Sequence, residues 1–166
     1  MSTISHSYLT APTNYRSSVK SAIDGYAKAY ASDTMDTVTG YQVDTIMFGL
    51  LSGDLQVRDY FLGLPLDYDL ETATNIVSNL SASLPTGNKR HLYCALAMFA
   101  FEKGDTKGAL DLLDICDSEA DYSLSSLLRR AIQAGWESDA FVAMRNSCHA
   151  GVTEAMSEDE PIHFTN

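Results

Sequence analysis

Two pairs of soft ligands are the first residues that could do chemistry. His91 and Cys94 lie three apart, which puts both on one face of a helix. Cys148 and His149 are adjacent. Zinc takes four such ligands in a tetrahedron, with its thiols ionised. Adjacent residues on a helix point in different directions, so Cys148 and His149 make a poor second clip. A core cysteine beside a histidine at a helix start is the simpler account of the first pair. No metal and no cofactor are expected. Asp67, Asp69 and Glu71 alternate along a loop, but the sixth and twelfth positions counted from Asp67 are Thr72 and Ser78. A calcium loop needs Gly and Glu there. The cluster instead suits a helix start, where the helix dipole favours carboxylates.

Covalent and phosphate chemistry find no support. Gly49-x-x-x-Gly53 and Gly104-x-x-x-Gly108 lack the Lys-Ser/Thr of a phosphate-binding loop. No G-x-S-x-G, H-E-x-x-H or C-x-x-C is present. No catalytic residues are assigned. What remains is charge. Asp111, Asp114, Asp117, Glu119 and Asp121 form an acidic stretch, followed by the paired Arg129 and Arg130. The carboxylates could attract a basic partner. The arginines could anchor a carboxylate or phosphate through parallel hydrogen bonds, or simply face solvent. Trp136 could be an interface anchor, although its place after Gly135 already gives it a structural role.

The elements that must position these residues read as helices. The chain has 166 residues, enough for one domain with a sizeable core, and 45% of them are hydrophobic. Val19, Ala22, Ile23, Tyr26, Ala27 and Tyr30 share a helical stripe, with Ser17 or Ser18 as its cap. A second helix runs from about Gln42 to Leu51 and stops at Ser52-Gly53. Asp54 caps a third through Leu62, ended by Gly63 and Pro65. Asp69 caps a fourth carrying Leu70, Ala73, Ile76 or Val77, Leu80 and Leu84. Lys89 to Lys103 is apolar almost all round, which predicts the central helix. Gly104-Asp105 then turns into a helix that buries Ala109, Leu112, Leu113 and Cys116. Ser123 caps a seventh, with Tyr122 and Leu127 as a hydrophobic staple. Gly135 ends it, and Ser138 caps a last helix with Phe141, Met144 and Cys148 inward.

The prediction is therefore an all-α bundle of about eight helices with tetratricopeptide-like αα-hairpins. Its expected parts are a polar segment over 1–16, one helical domain over 17–156 and an acidic tail over 157–166.

Residues about 50–145 resemble the helical C-terminal part of the domain-of-unknown-function 4192 family. The resemblance is carried by Asp54 with Arg58-Asp59, Ala95-x-x-x-Phe99 leading to Gly104-Asp105, Ala109 to Leu113, Asp121-Tyr122-Ser123-Leu124, Leu127-Leu128, Ala131 and Gly135. It implies a helical fold and an actinobacterial or actinobacterial-phage origin. It brings no catalytic residues.

Composition narrows the partners. There are 22 acidic and 11 basic residues, a net charge of -11. Nucleic-acid backbones are bound through Lys and Arg that release counterions, so no direct nucleic-acid binding is expected. The longest apolar run, Leu92 to Phe101, has ten residues, half a membrane span. The Ser/Thr-rich start has no apolar signal region. With an odd number of scattered cysteines, Cys94, Cys116 and Cys148, the reading is a cytoplasmic protein with reduced thiols. The leading functional expectation is a non-enzymatic module that binds another protein, such as a small regulator or inhibitor of a host or cellular complex. The alternative is a pocket between helices for a small molecule or catalysis, with His91, Tyr93 and His149 as first candidates. An acidic DNA mimic ranks third, because the carboxylates are sparse outside 111–121.

Overall fold

Short polar side chains and left-handed glycines set the helix boundaries. In the computed structural model, which describes residues 15–85, 89–118 and 123–157, Asp54, Asp69 and Asp105 accept from the amides of Gln56, Thr72 and Gly108. Each satisfies a donor that the first helical turn leaves free. Thr39 and Gln42 form a reciprocal capping box. Gly104 and Gly135 have φ of 84° and 80°. At both corners the next residue's amide, that of Asp105 or Trp136, reaches back to the carbonyl of Ala100 or Ala131. That is the Schellman bond, and only a residue tolerant of positive φ lets the chain turn so tightly.

The result is all-helical: eight α-helices, with no strand among the described residues. They are α1 (Tyr15–Ala31), α2 (Gly40–Leu51), α3 (Leu55–Leu62), α4 (Leu70–Ser83), α5 (Arg90–Glu102), α6 (Thr106–Asp117), α7 (Ser123–Gln133) and α8 (Ser138–Ser157). Single 3-10 turns lie at Met35–Thr37 and Leu64–Leu66, the latter holding Pro65. α1 starts at Tyr15, so Ser17 and Ser18 lie inside it rather than capping it. Ser138 is likewise the first helical residue, one past the cap position. Tyr122 and the tail from residue 158 fall outside the described residues.

α5 is the central rod. Leu92 and the run from Cys94 to Phe99 are all buried. Around it lie Val19, Ile23 and Tyr26 of α1, Phe61 of α3, Ile76 and Leu80 of α4, and Leu113, Leu128 and Met156. Burying each of these large side chains is worth about 1.5–3 kcal/mol, which is what makes the bundle stable. α5 and α6 are antiparallel, because Arg90 at the start of one bonds Cys116 near the end of the other. The other Gly-Asp corner, at Gly53-Asp54, serves a different pairing, since α3 leaves α2 to pack chiefly on α8. No helix among the described residues is long and apolar enough to cross a membrane.

Two contacts fix α1. Gly49 of α2 faces Val19, and a Cβ there would sit 2.7 Å and 2.9 Å from the valine methyls. Those methyls are fully buried and cannot move away freely. Gly49→Ala should therefore cost about 1–3 kcal/mol by overpacking. Adding Val19→Ala should return part of that loss. A double-mutant cycle in urea checks it, and additive losses would show that the two helices do not meet there.

The second contact is Asp54, whose buried carboxylate receives the Tyr15 hydroxyl and the Arg16 guanidinium, with Arg16 Nε at 2.7 Å. Burial pushes its pKa up, but the bonds from Arg16, Tyr15 and the Gln56 amide outweigh that and hold it below the usual value. The folded pKa is depressed, so its stabilisation is complete above the unfolded carboxylate value of about 3.9 and is lost as pH falls through the lower folded value. Asp54→Asn keeps the cap and loses the charge. It should cost about 1–2 kcal/mol at neutral pH and flatten the acid limb of a melting-temperature profile.

Candidate functional site

The helical stripe that α8 turns inward is Phe141, Arg145, His149, Val152 and Met156, spaced four, four, three and four apart. Met144 and Cys148, expected inside, lie one position off this stripe and are exposed. The stripe places an arginine and a histidine where the others place hydrocarbon.

Arg145 is only 7% exposed. Its Nε donates to the Leu62 carbonyl at 2.7 Å, at the end of α3. Its Nη2 meets Glu102 Oε1 at 2.5 Å, and both side chains are 5% exposed or less. The guanidinium carbon stands 5.6 Å from the Phe99 ring centroid, a cation-π distance. Burial raises the Glu102 pKa, and Arg145 opposes the rise. One cation thus fastens the end of α3, the end of α5 and the middle of α8.

His149 comes one turn later. It packs so closely on Gly63 that a Cβ there would lie 2.0 Å from Nδ1, which only glycine permits. Its ring stacks on Tyr60, with centroids 6.1 Å apart and planes at 21°. Nε2 lies 3.4 Å from the Thr153 hydroxyl and 3.8 Å from Asp67. Tyr60 donates to Asp24, and burial followed by that carboxylate raises its pKa.

Two hollows meet at this histidine. One is a cavity of about 250 Å³ between α3, α5, α7 and α8. Leu62, Met98, Leu124, Leu127, Met144 and Val152 form its apolar wall. Arg58, Asp59 and Arg145 supply its charge. Leu127 and Met144 stand at the mouth, 53% and 42% exposed. On the Nε2 side is an open, more polar trough of about 810 Å³ with Lys20, Asp24, Tyr60 and Asp67. Of the residues picked from sequence, His149 reaches both hollows and Cys148 the first. Tyr93 packs against the core instead. His91 is half-buried beside Arg58 and Asp59, and burial, then Arg58 and Arg90, lower its pKa against the pull of Asp59.

The acidic stretch is held within the chain. Arg129 contacts Asp114 at 2.7 Å and Asp117 at 3.4 Å. Ser125 donates to Asp117 at 2.8 Å, and Lys107 pairs with Asp111 at 2.7 Å. The Arg129 pairs join α6 to α7, the Lys107 pair lies within α6, and together they leave a net charge of about -1 where three carboxylates alone would give -3. Arg129 is therefore half-buried, not facing solvent as expected, while Arg130 is exposed. Glu119 and Asp121 lie outside the described residues. Trp136 completes its backbone turn, yet the indole remains 57% exposed. Cys94 turns away from a shared ligand with His91 and meets Cys116. Among the described residues no three His, Cys, Asp or Glu side chains gather as a metal would require. Asp69 caps α4, as its spacing predicts.

No family model, no curated protein and no solved structure matches the chain.

Proposed function

We propose that this chain is a non-enzymatic helical module that binds another protein, and that the partner seats an apolar side chain in the cleft between α7 and α8. The cleft itself carries the reading. It is concave and mostly apolar, and it opens past two large aliphatic side chains, Leu127 and Met144, that water now touches. A partner's leucine or aromatic ring in such a hollow is a typical binding hot spot. Flexible methionine at the mouth adapts to the anchor's shape. The net charge of -11 favours a partner segment with Lys or Arg beside the anchor. Kinship with the domain-of-unknown-function 4192 family, and a regulatory or inhibitory role in a cellular or host complex, belong to the same proposal.

A second reading has its own support. His149 lines both the apolar cavity and the polar trough, and an imidazole at such a junction suits a small ligand that carries a polar group. Selection from a random peptide library separates the two. The expected result is enrichment of sequences with one large apolar residue and basic neighbours. Leu127→Asp should weaken their binding at least about tenfold, with the circular-dichroism spectrum unchanged. Peptides that bind the variant equally well would remove the cleft from the proposal. A small molecule that co-purifies and is displaced by His149→Phe would put the second reading first.

A further inference from the structure

Cys94 and Cys116 are 22 residues apart, and nothing in their spacing joins them. The antiparallel course of α5 and α6 brings their Sγ atoms to 3.4 Å, with both side chains buried. The surrounding backbone is clamped from both sides. Arg90 Nε donates to the Cys116 carbonyl at 3.0 Å, and Cys116 Sγ donates to the Arg90 carbonyl at 3.3 Å. A disulfide needs the sulfurs to close to about 2.05 Å, a further ~1.4 Å.

We propose that Cys94 and Cys116 are an oxidisable pair, which a hydroperoxide converts into an intramolecular disulfide tying α5 to α6. The Cys116 sulfur attacks the peroxide, an S–O bond forms, and the O–O bond breaks. The departing oxygen leaves as water or alcohol after taking the Cys116 proton. The Cys94 sulfur then attacks the sulfenic sulfur, the S–S bond forms, and hydroxide leaves as water with the Cys94 proton. The two sulfurs lose two electrons, and the peroxide gains them. The chemistry is the same with the two sulfurs exchanged, because either can donate in the Sγ–Sγ contact. The closed loop runs from residue 94 to residue 116, most of the α5–α6 hairpin, and restricts the unfolded chain.

The test uses the full chain carrying Cys148→Ser, so that the exposed thiol cannot link molecules. The protein is treated with hydrogen peroxide under native conditions, then unfolded, alkylated and digested. The expected product is a Cys94–Cys116 linked peptide with neither thiol alkylated, lost on reduction. The oxidised protein should melt several degrees above the reduced one. Two alkylated thiols after treatment would overturn the proposal, and so would sulfinic acid without the linked peptide.

Discussion

Arg145→Met lowers folding stability by about 3–5 kcal/mol, the usual cost of leaving one member of a buried ion pair behind. Methionine replaces the stem, so lost packing is a minor part. What remains is the Glu102 carboxylate, whose side chain is 4% exposed. Without the cation, burial alone acts on it and raises its pKa further. The folded value then stands above the unfolded one. Protonated Glu102 causes little harm, so the variant is nearest to wild type below the unfolded value of about 4.3 and loses ground as pH rises through the folded value. Urea denaturation at about pH 5 and pH 8 should show the larger gap at pH 8. Arg145→Met with Glu102→Gln should recover much of the loss. A gap that ignores pH and is not rescued would mean that Glu102 is hydrated. Because the Arg145 Nε also holds the Leu62 carbonyl, the variant should loosen the end of α3 and reshape the cleft.

That dependence of the cleft on one arginine explains what the sequence could and could not reveal. Caps are local. Asp54, Asp69, Asp105 and Gly135 act within a few residues of themselves, so the helix ends were legible. The inward faces of α1, α4 and α6 were legible too, because their stripes carry no charged residue. α8 was misread for the converse reason. Its stripe from Phe141 to Met156 passes through Arg145 and His149, and an arginine counts as solvent-facing unless a carboxylate waits for it. Glu102 is on another helix, and no local pattern announces it. The available signal was the spacing itself, since Phe141, Arg145, His149, Val152 and Met156 keep helical register. Cys94 was legible as a core residue, and only its pairing was hidden. Its partner Cys116 lies across the α5–α6 turn, where no local spacing points to it.

In the acidic stretch the local pattern leaves out the cations that the fold brings alongside it. Asp111, Asp114 and Asp117 look like an uncommitted anionic face only while Lys107 and Arg129 are left out of account. Once α6 and α7 are packed, the nearest cations come from the same chain. The -11 overall charge persists, and at that range it speeds encounter with basic partners more than it chooses among them.

Phe99→Asp should abolish cooperative folding. Phe99 has no exposed surface, and losing its ring alone costs about 3–5 kcal/mol. A buried carboxylate adds to that unless it is paired. Arg145, the cation over the ring, is already held by Glu102, which lies three residues further along the same helix. Two carboxylates would then compete for one guanidinium, and one of them must take up a proton. Total stability for a domain of this size is about 5–15 kcal/mol, so the combined penalty approaches the whole of it. Phe99→Leu keeps a hydrocarbon in place and should cost far less. Circular dichroism during heating distinguishes the cases. A sharp transition lowered by a few degrees is expected for the leucine variant, and a broad, sloping loss of signal for the aspartate. If the aspartate variant melted like wild type, the ring could not lie at the centre of the bundle, and the cleft built over it would fall with it.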